Sequence, residues 1–106
     1  MDIEHLEQKS EEAVRLLRAL ANKKRLMIVC TLFMGEKNVG EMEKIVGLSQ
    51  SALSQHLARL RRDGIVNNRR DAQTIYYSLC SDAVQQLLGC LHQIYCPEFQ
   101  AEEKRD

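Results

Sequence analysis

A chain of 106 residues is sized for one domain with one modest core. Its 44% hydrophobic and 28% charged residues are ordinary for a globular protein, and one Pro with five Gly leaves no sign of a linker or disordered segment. Equal numbers of acidic and basic residues exclude nucleic-acid binding by bulk charge, and no apolar run reaches the length of a bilayer span.

The first twelve residues carry five acids and one Lys and have no apolar signal-peptide core. The protein is therefore expected to be cytoplasmic, with residues 1–9 and 98–106 as flexible tails of a single domain spanning 1–106. In that compartment structural disulfides are rare, so the four cysteines at 30, 80, 90 and 96 are filler, metal ligands or redox-active. No CxxC pair is present.

"SEEAVRLLRALA" predicts a helix over about 10–21, with Ser10 as its cap and Val14, Leu17 and Ala21 on one face. "NKKRLMIVCTLFMG" restarts at Asn22 and stops at Gly35. Its stripe is Leu26, Val29, Cys30 and Phe33, which puts Cys30 on a face expected to be buried.

"VGEMEKIVGLSQSALSQHLARLRRDG" predicts two helices, about 39–46 and 50–62, joined at Gly47 with Ser49 capping the second. That is a helix-turn-helix pattern. Leu53, Leu57 and Leu60 should face the core. Ser51, Gln55, Ala58 and Arg62 lie opposite, flanked by Ser54 and Arg59, with Gln50 at the start. An exposed face of Ser, Gln and Arg without Glu or Lys suits a DNA major groove better than a merely solvated surface. His56, between the two faces, reads as a packing and hydrogen-bonding residue.

"GIVNNRRDAQTIYYSL" predicts a hairpin. Ile65 and Val66 begin one strand, "NNRRDAQ" forms a polar turn, and Ile75, Tyr77 and Leu79 point one way on the return strand. Arg69, Arg70 and Gln73 near the tip are candidate phosphate or minor-groove contacts. The predicted fold is mainly α with a small β-hairpin, a winged helix-turn-helix.

The last helix, "SDAVQQLLGCLHQIYC", is capped by Ser81 and ends before Pro97. Its stripe of Val84, Leu87, Leu88, Leu91, Ile94 and Tyr95 is longer than this core needs. First and last helices are thus expected to form a homodimer, which would let two recognition helices read the half-sites of an imperfect palindrome about one helical turn apart.

At "LRALANKKRLMIV", "GLSQSALSQHLARLRRDGIV" and "RRDAQTIYYSL" the chain resembles the ArsR/SmtB family of winged-helix repressors, over about residues 12 to 96. The resemblance implies sequence-specific binding of double-stranded operator DNA and release by a ligand or redox event. It does not extend to the family's metal sites. The Cys box of one group matches "NVGEMEKIV", which has no Cys, and Asp82 and His92 lack the partners of the other. No metal and no cofactor is expected.

Cys30 and Cys96 instead resemble the dithiol of the family's sulfide- and persulfide-responsive, BigR-, SqrR- and HlyU-like branch. That resemblance implies a regulator that binds DNA when reduced and releases it when reactive sulfur species or oxidants cross-link the pair. Cys96, at a helix end, would be the accessible thiol, and Cys30 the shielded partner. A direct disulfide needs Cα atoms within about 7 Å, and a sulfur chain spans more. Cys80 and Cys90 match no sensing position and read as small buried hydrophobes. The alternatives are a metal- or metalloid-responsive repressor, or an antirepressor displacing a nucleoid-silencing protein. An enzyme is not expected, because neither a Cys-His-acid spacing nor a phosphate loop is present. A winged helix used purely for protein interaction would not need Arg and Gln on its exposed recognition face.

Overall fold

The computed structural model describes residues 2–96. Helix α1 is Ile3–Leu20, α2 Lys23–Phe33, α3 Val39–Val46, α4 Gln50–Arg62 and α5 Asp82–Tyr95. Strands β1 (Lys37–Asn38), β2 (Val66–Asp71) and β3 (Thr74–Leu79) form one antiparallel sheet in the order β1-β3-β2. This is the winged helix-turn-helix that the sequence predicts, with one short strand added.

Most boundaries follow from local chemistry. Asn22, Ser49 and Ser81 each accept a backbone N–H from the first turn of the helix they cap. Asn38 and Glu41 form a reciprocal capping box on α3, through bonds of 2.8 and 3.0 Å. Gly47 ends α3 at φ 73°, a left-handed position that costs Gly little and turns the chain sharply into α4.

Three expectations are corrected. Helix α1 is capped by Asp2 rather than Ser10, so residues 3–9, read as tail, are helical. Acids near its N-terminus complement the helix dipole and extend the element. Second, "NNRRD" is strand rather than turn, since β2 pairs with β3 from Val66↔Leu79 to Asp71↔Thr74. Only Ala72 and Gln73 connect them, with Ala72 at φ 57°. Third, the buried stripe of α2 is Arg25, Ile28, Val29 and Leu32, one residue back from the expected one. Cys30 and Phe33 therefore flank the core half-buried.

The core joins that stripe to Met42 and Val46 of α3, Leu53, Leu57 and Leu60 of α4, Ile65 and Val66, and Val84 and Leu88 of α5. Helix α2 lies at its centre and touches α1, α3, α4, α5 and β3. Arg25 secures α1 to it. Its Nε donates to the Ala19 carbonyl at 2.7 Å and its Nη2 to the Arg18 carbonyl at 3.2 Å, satisfying the end of α1. Burial, with the charge of Arg59, lowers the Arg25 pKa, and Asp63 works against that shift. Among the described residues no helix is long and apolar enough to cross a membrane.

Beyond Leu16, Ala19 and Leu20, α1 has little cover. Ile3, Leu6, Val14 and Leu17 are exposed along it, and Ile94 and Tyr95 are exposed at the end of α5.

Candidate DNA interface and thiol pair

Two sites are built on this frame. The first is a groove between the recognition helix and the wing. Gln50 and Ser54 of α4 line it with Gln73 and Thr74 at the wing tip, Ile75 and Tyr77 of β3, and Asn38, Val39 and Gly40 at the start of α3. The buried Leu53, Leu57 and Leu60 fix the rotation of α4, so Ser51, Ser54 and Gln55 face solvent.

The other candidate contacts divide. Arg70 is exposed on β2 beside the tip. Arg59 and Arg62 lie at the opposite end of α4 from Gln50. They approach Asp63 at 3.8 and 3.7 Å and, with Arg15, Arg18, Glu7 and Glu11, line a cleft of about 680 Å³ against α1. Arg69 is engaged within the protein. Its guanidinium makes two bonds to Glu36, at 2.9 and 2.7 Å, and lies 4.5 Å from the centre of the Tyr76 ring. The structure thus brings Gln50, Ser54 and Gln73 together and leaves Arg59 and Arg62 outside that groove.

The second site lies where α2 meets α5. Phe33 and His92 pack edge to face, with ring centroids 4.9 Å apart. Cys30 is one turn before Phe33 on α2. Cys96 is one turn after His92 and caps α5, its N–H bonded to the His92 carbonyl at 2.7 Å. Both are free thiols; Cys30 is half-buried and Cys96 exposed. Burial and the nearby charge of Cys96 both raise the Cys30 pKa. Loss of a proton from Cys30 is therefore coupled to the state of Cys96. At neutral pH Cys30 is held as a thiol, while Cys96 is open to solvent reagents.

Cys80 and Cys90, expected to be buried, are exposed. Cys80 follows the end of β3, with its sulfur 3.4 Å from the Gly64 carbonyl. Cys90 sits on the flank of α5 away from the Val84–Leu88 stripe. Among the described residues no cluster of three or more His, Cys, Asp or Glu is placed to hold a metal ion.

Three participants escaped the sequence reading. Glu36 and Tyr76 have no pattern that announces them, because their partner is 33 residues away for Glu36 and across a strand for Tyr76. Arg25 did leave a signal. It is a charged residue at the first position of the true 25-28-29-32 stripe, where an apolar residue would be expected.

Residues 22–68, from the cap of α2 to β2, match the model of the bacterial regulatory protein arsR family. The transcriptional activator HlyU of Vibrio cholerae is 51% identical over 91% of this chain and 89% of its own length. The chain belongs to the arsR family. The biofilm growth-associated repressor of Xylella fastidiosa is 42% identical over 99% of this chain and 89% of its own length. The structure of reduced HlyU from Vibrio cholerae N16961 superposes with a TM-score of 0.86 at 51% identity, covering 89% of this chain and 99% of that one. This arsR-family chain is accordingly a DNA-binding transcriptional regulator of the HlyU and BigR type, not an enzyme.

Proposed function

We propose that this regulator is a dithiol switch: it binds operator DNA as a reduced homodimer and lets go when Cys30 and Cys96 are cross-linked. The observation that carries the reading is the placement of the two thiols. Each is one turn from the Phe33–His92 contact, on the two helices that contact joins.

The chemistry follows from their environments. The exposed Cys96 thiolate attacks the outer sulfur of a persulfide donor, giving a Cys96 persulfide and the donor's thiolate. Cys30 then loses its proton to solvent and attacks the inner sulfur. A disulfide forms and hydrosulfide leaves. If Cys96 carries two added sulfurs, attack on the first of them leaves a trisulfide and again expels hydrosulfide. The raised Cys30 pKa lowers its thiolate fraction toward every electrophile, and its half-buried place beside the end of α5 favours a persulfide carried by Cys96 over bulk oxidants.

Release has a route through α2, which touches both helices of the helix-turn-helix as well as α5. A covalent tie at the α2–α5 contact would shift α2 and, with it, the spacing of two recognition helices in a dimer. Dimerisation is supported by the exposed Ile3, Leu6, Val14 and Leu17 on α1 and Ile94 and Tyr95 on α5. A helix as bare as α1 gains little from its own backbone and needs packing to persist. The DNA contacts in this reading are Gln50, Ser51, Ser54 and Gln55 of α4, and Arg70 and Gln73 of the wing. Such a regulator would work in the cytoplasm.

A second reading concerns the direction of regulation. The relatives include one named an activator and one named a repressor. An antirepressor that displaces a silencing protein would use the same DNA face and the same thiols.

The test is mass spectrometry of the Cys80→Ser/Cys90→Ser protein treated with a defined polysulfide. The expected product joins the Cys30 and Cys96 peptides directly or through added sulfur. Persulfides on Cys96 that never link to Cys30 would defeat the switch.

A further inference from the structure

We propose that Arg69 is a positioning residue for DNA binding: with Glu36 and Tyr76 it clasps the wing to the start of the helix-turn-helix, and does not itself contact DNA. The central strand makes this possible. On β3, Tyr76 is paired on one side with Asn38 of β1 and on the other with Arg69 of β2. Arg69 extends over the Tyr76 ring, 4.5 Å from its centre, and reaches Glu36, two residues before Asn38. One side chain therefore spans the width of the sheet, about 10 Å for three strands.

Both ends of that span are mechanically important. Asn38 is the N-cap of α3 and holds Glu41 in the capping box, so the Glu36 end is fixed to the first helix of the reading head. The Arg69 end is next to Arg70, one residue nearer the tip. The base of the wing packs against α2, α3 and α4, and these constraints thin out toward its tip. β1 contributes only Lys37 and Asn38, each paired to β3, and β2 is exposed from Arg69 to Asp71. A bidentate guanidinium–carboxylate pair over an aromatic face restricts direction as well as distance, because the fork and the ring each demand one plane. The clasp thus sets how far Arg70 and Gln73 stand from Gln50 and Ser54 across the groove.

The two roles for Arg69 predict opposite signs. If Arg69 were a phosphate contact, Glu36 would compete with DNA for it. Glu36→Gln would then free a cation and remove an acid, so affinity would rise, with the salt slope steeper by about one per protomer. If Arg69 is a positioning residue, the same change loosens the wing and affinity falls despite the added positive charge.

The experiment uses the full chain and a fluorescent duplex that the wild-type protein has selected from a random pool, read by anisotropy over a salt series. Selection of a duplex tests DNA binding independently of the clasp. Glu36→Gln is expected to weaken binding by roughly fivefold or more, as wing contacts to phosphate fall out of register. Tyr76→Leu, which alters no charge, should weaken it too. The charge-exchanged Glu36→Arg/Arg69→Glu protein should recover most of the wild-type affinity. Exposed ion pairs contribute little to stability, so the Glu36 and Arg69 variants should keep the wild-type melting curve within a few degrees. Tighter binding by Glu36→Gln, unchanged binding by Tyr76→Leu, or an exchanged protein as weak as Arg69→Ala would each overturn the proposal.

Discussion

Phe33 and His92 meet edge to face at 4.9 Å, with their ring planes 87° apart, and this contact joins α2 to α5 one turn from each of the two proposed sensing thiols. Edge-to-face pairs have a preferred geometry, so the contact fixes how the two helices face one another. Phe33→Leu should keep the fold and lose that orientation. The expected result is slower Cys30–Cys96 cross-linking at unchanged Cys96 reactivity, read by quenched time points in the Cys80→Ser/Cys90→Ser background.

Arg25 is the buried charge on which the junction of α1 and α2 depends. Its two bonds go to the carbonyls of Ala19 and Arg18 at the end of α1. Arg25→Ala leaves both without their donor and should cost about 2–4 kcal/mol, from lost charged hydrogen bonds and lost packing. Arg25→Lys should recover only part of this, because an ammonium lacks the planar fork that serves two carbonyls. Urea melts measure both.

Ala72 carries the wing turn at φ 57°, in the region disfavoured for residues with a Cβ. Ala72→Val should destabilise by about 1–2 kcal/mol, since a β-branched side chain worsens the clash. Ala72→Gly should be neutral or stabilising, relief of strain being partly offset by the freedom Gly gains when unfolded. Thermal melts that ranked Val above Gly would contradict this backbone account.

His56 gives a pH dependence. Burial, then the Arg25 charge, lowers its pKa from the ordinary 6.5, so the folded protein binds this proton less readily than the unfolded chain. Its contribution is fully present above 6.5 and is lost as pH falls from there through the lowered value. Wild-type melting temperature should therefore decline between about pH 7 and pH 5, where carboxylates remain mostly ionised. The decline should be shallower in His56→Gln.

The helix-turn-helix was legible because its signals are local. Gly47 and Ser49 act within four residues, and the 53-57-60 leucines repeat at helical spacing. The wing was legible as alternation, yet "NNRRD" looked like a turn because an exposed edge strand shows no apolar face. β1 was invisible, since two residues carry no period, and only pairing with β3 defines them. The candidate DNA site split along the same line. Gln50 and Ser54 lie one turn apart on α4, and Gln73 at the wing tip lines the same groove. Arg69 does not join them, because Glu36 holds it from 33 positions away. Cys30 was placed on a packed face by a stripe drawn one residue too far along α2, and Arg25 inside the true stripe explains the error.

The central claim is that Cys30 and Cys96 together control DNA release. The most direct measurement follows a preformed complex, in the Cys80→Ser/Cys90→Ser background, after addition of a defined polysulfide. Three proteins are compared: the parent, Cys30→Ser and Cys96→Ser. The account predicts that all three bind the duplex when reduced, that the parent releases it, and that neither single-thiol variant does. Release by either variant at the parent's rate would contradict it.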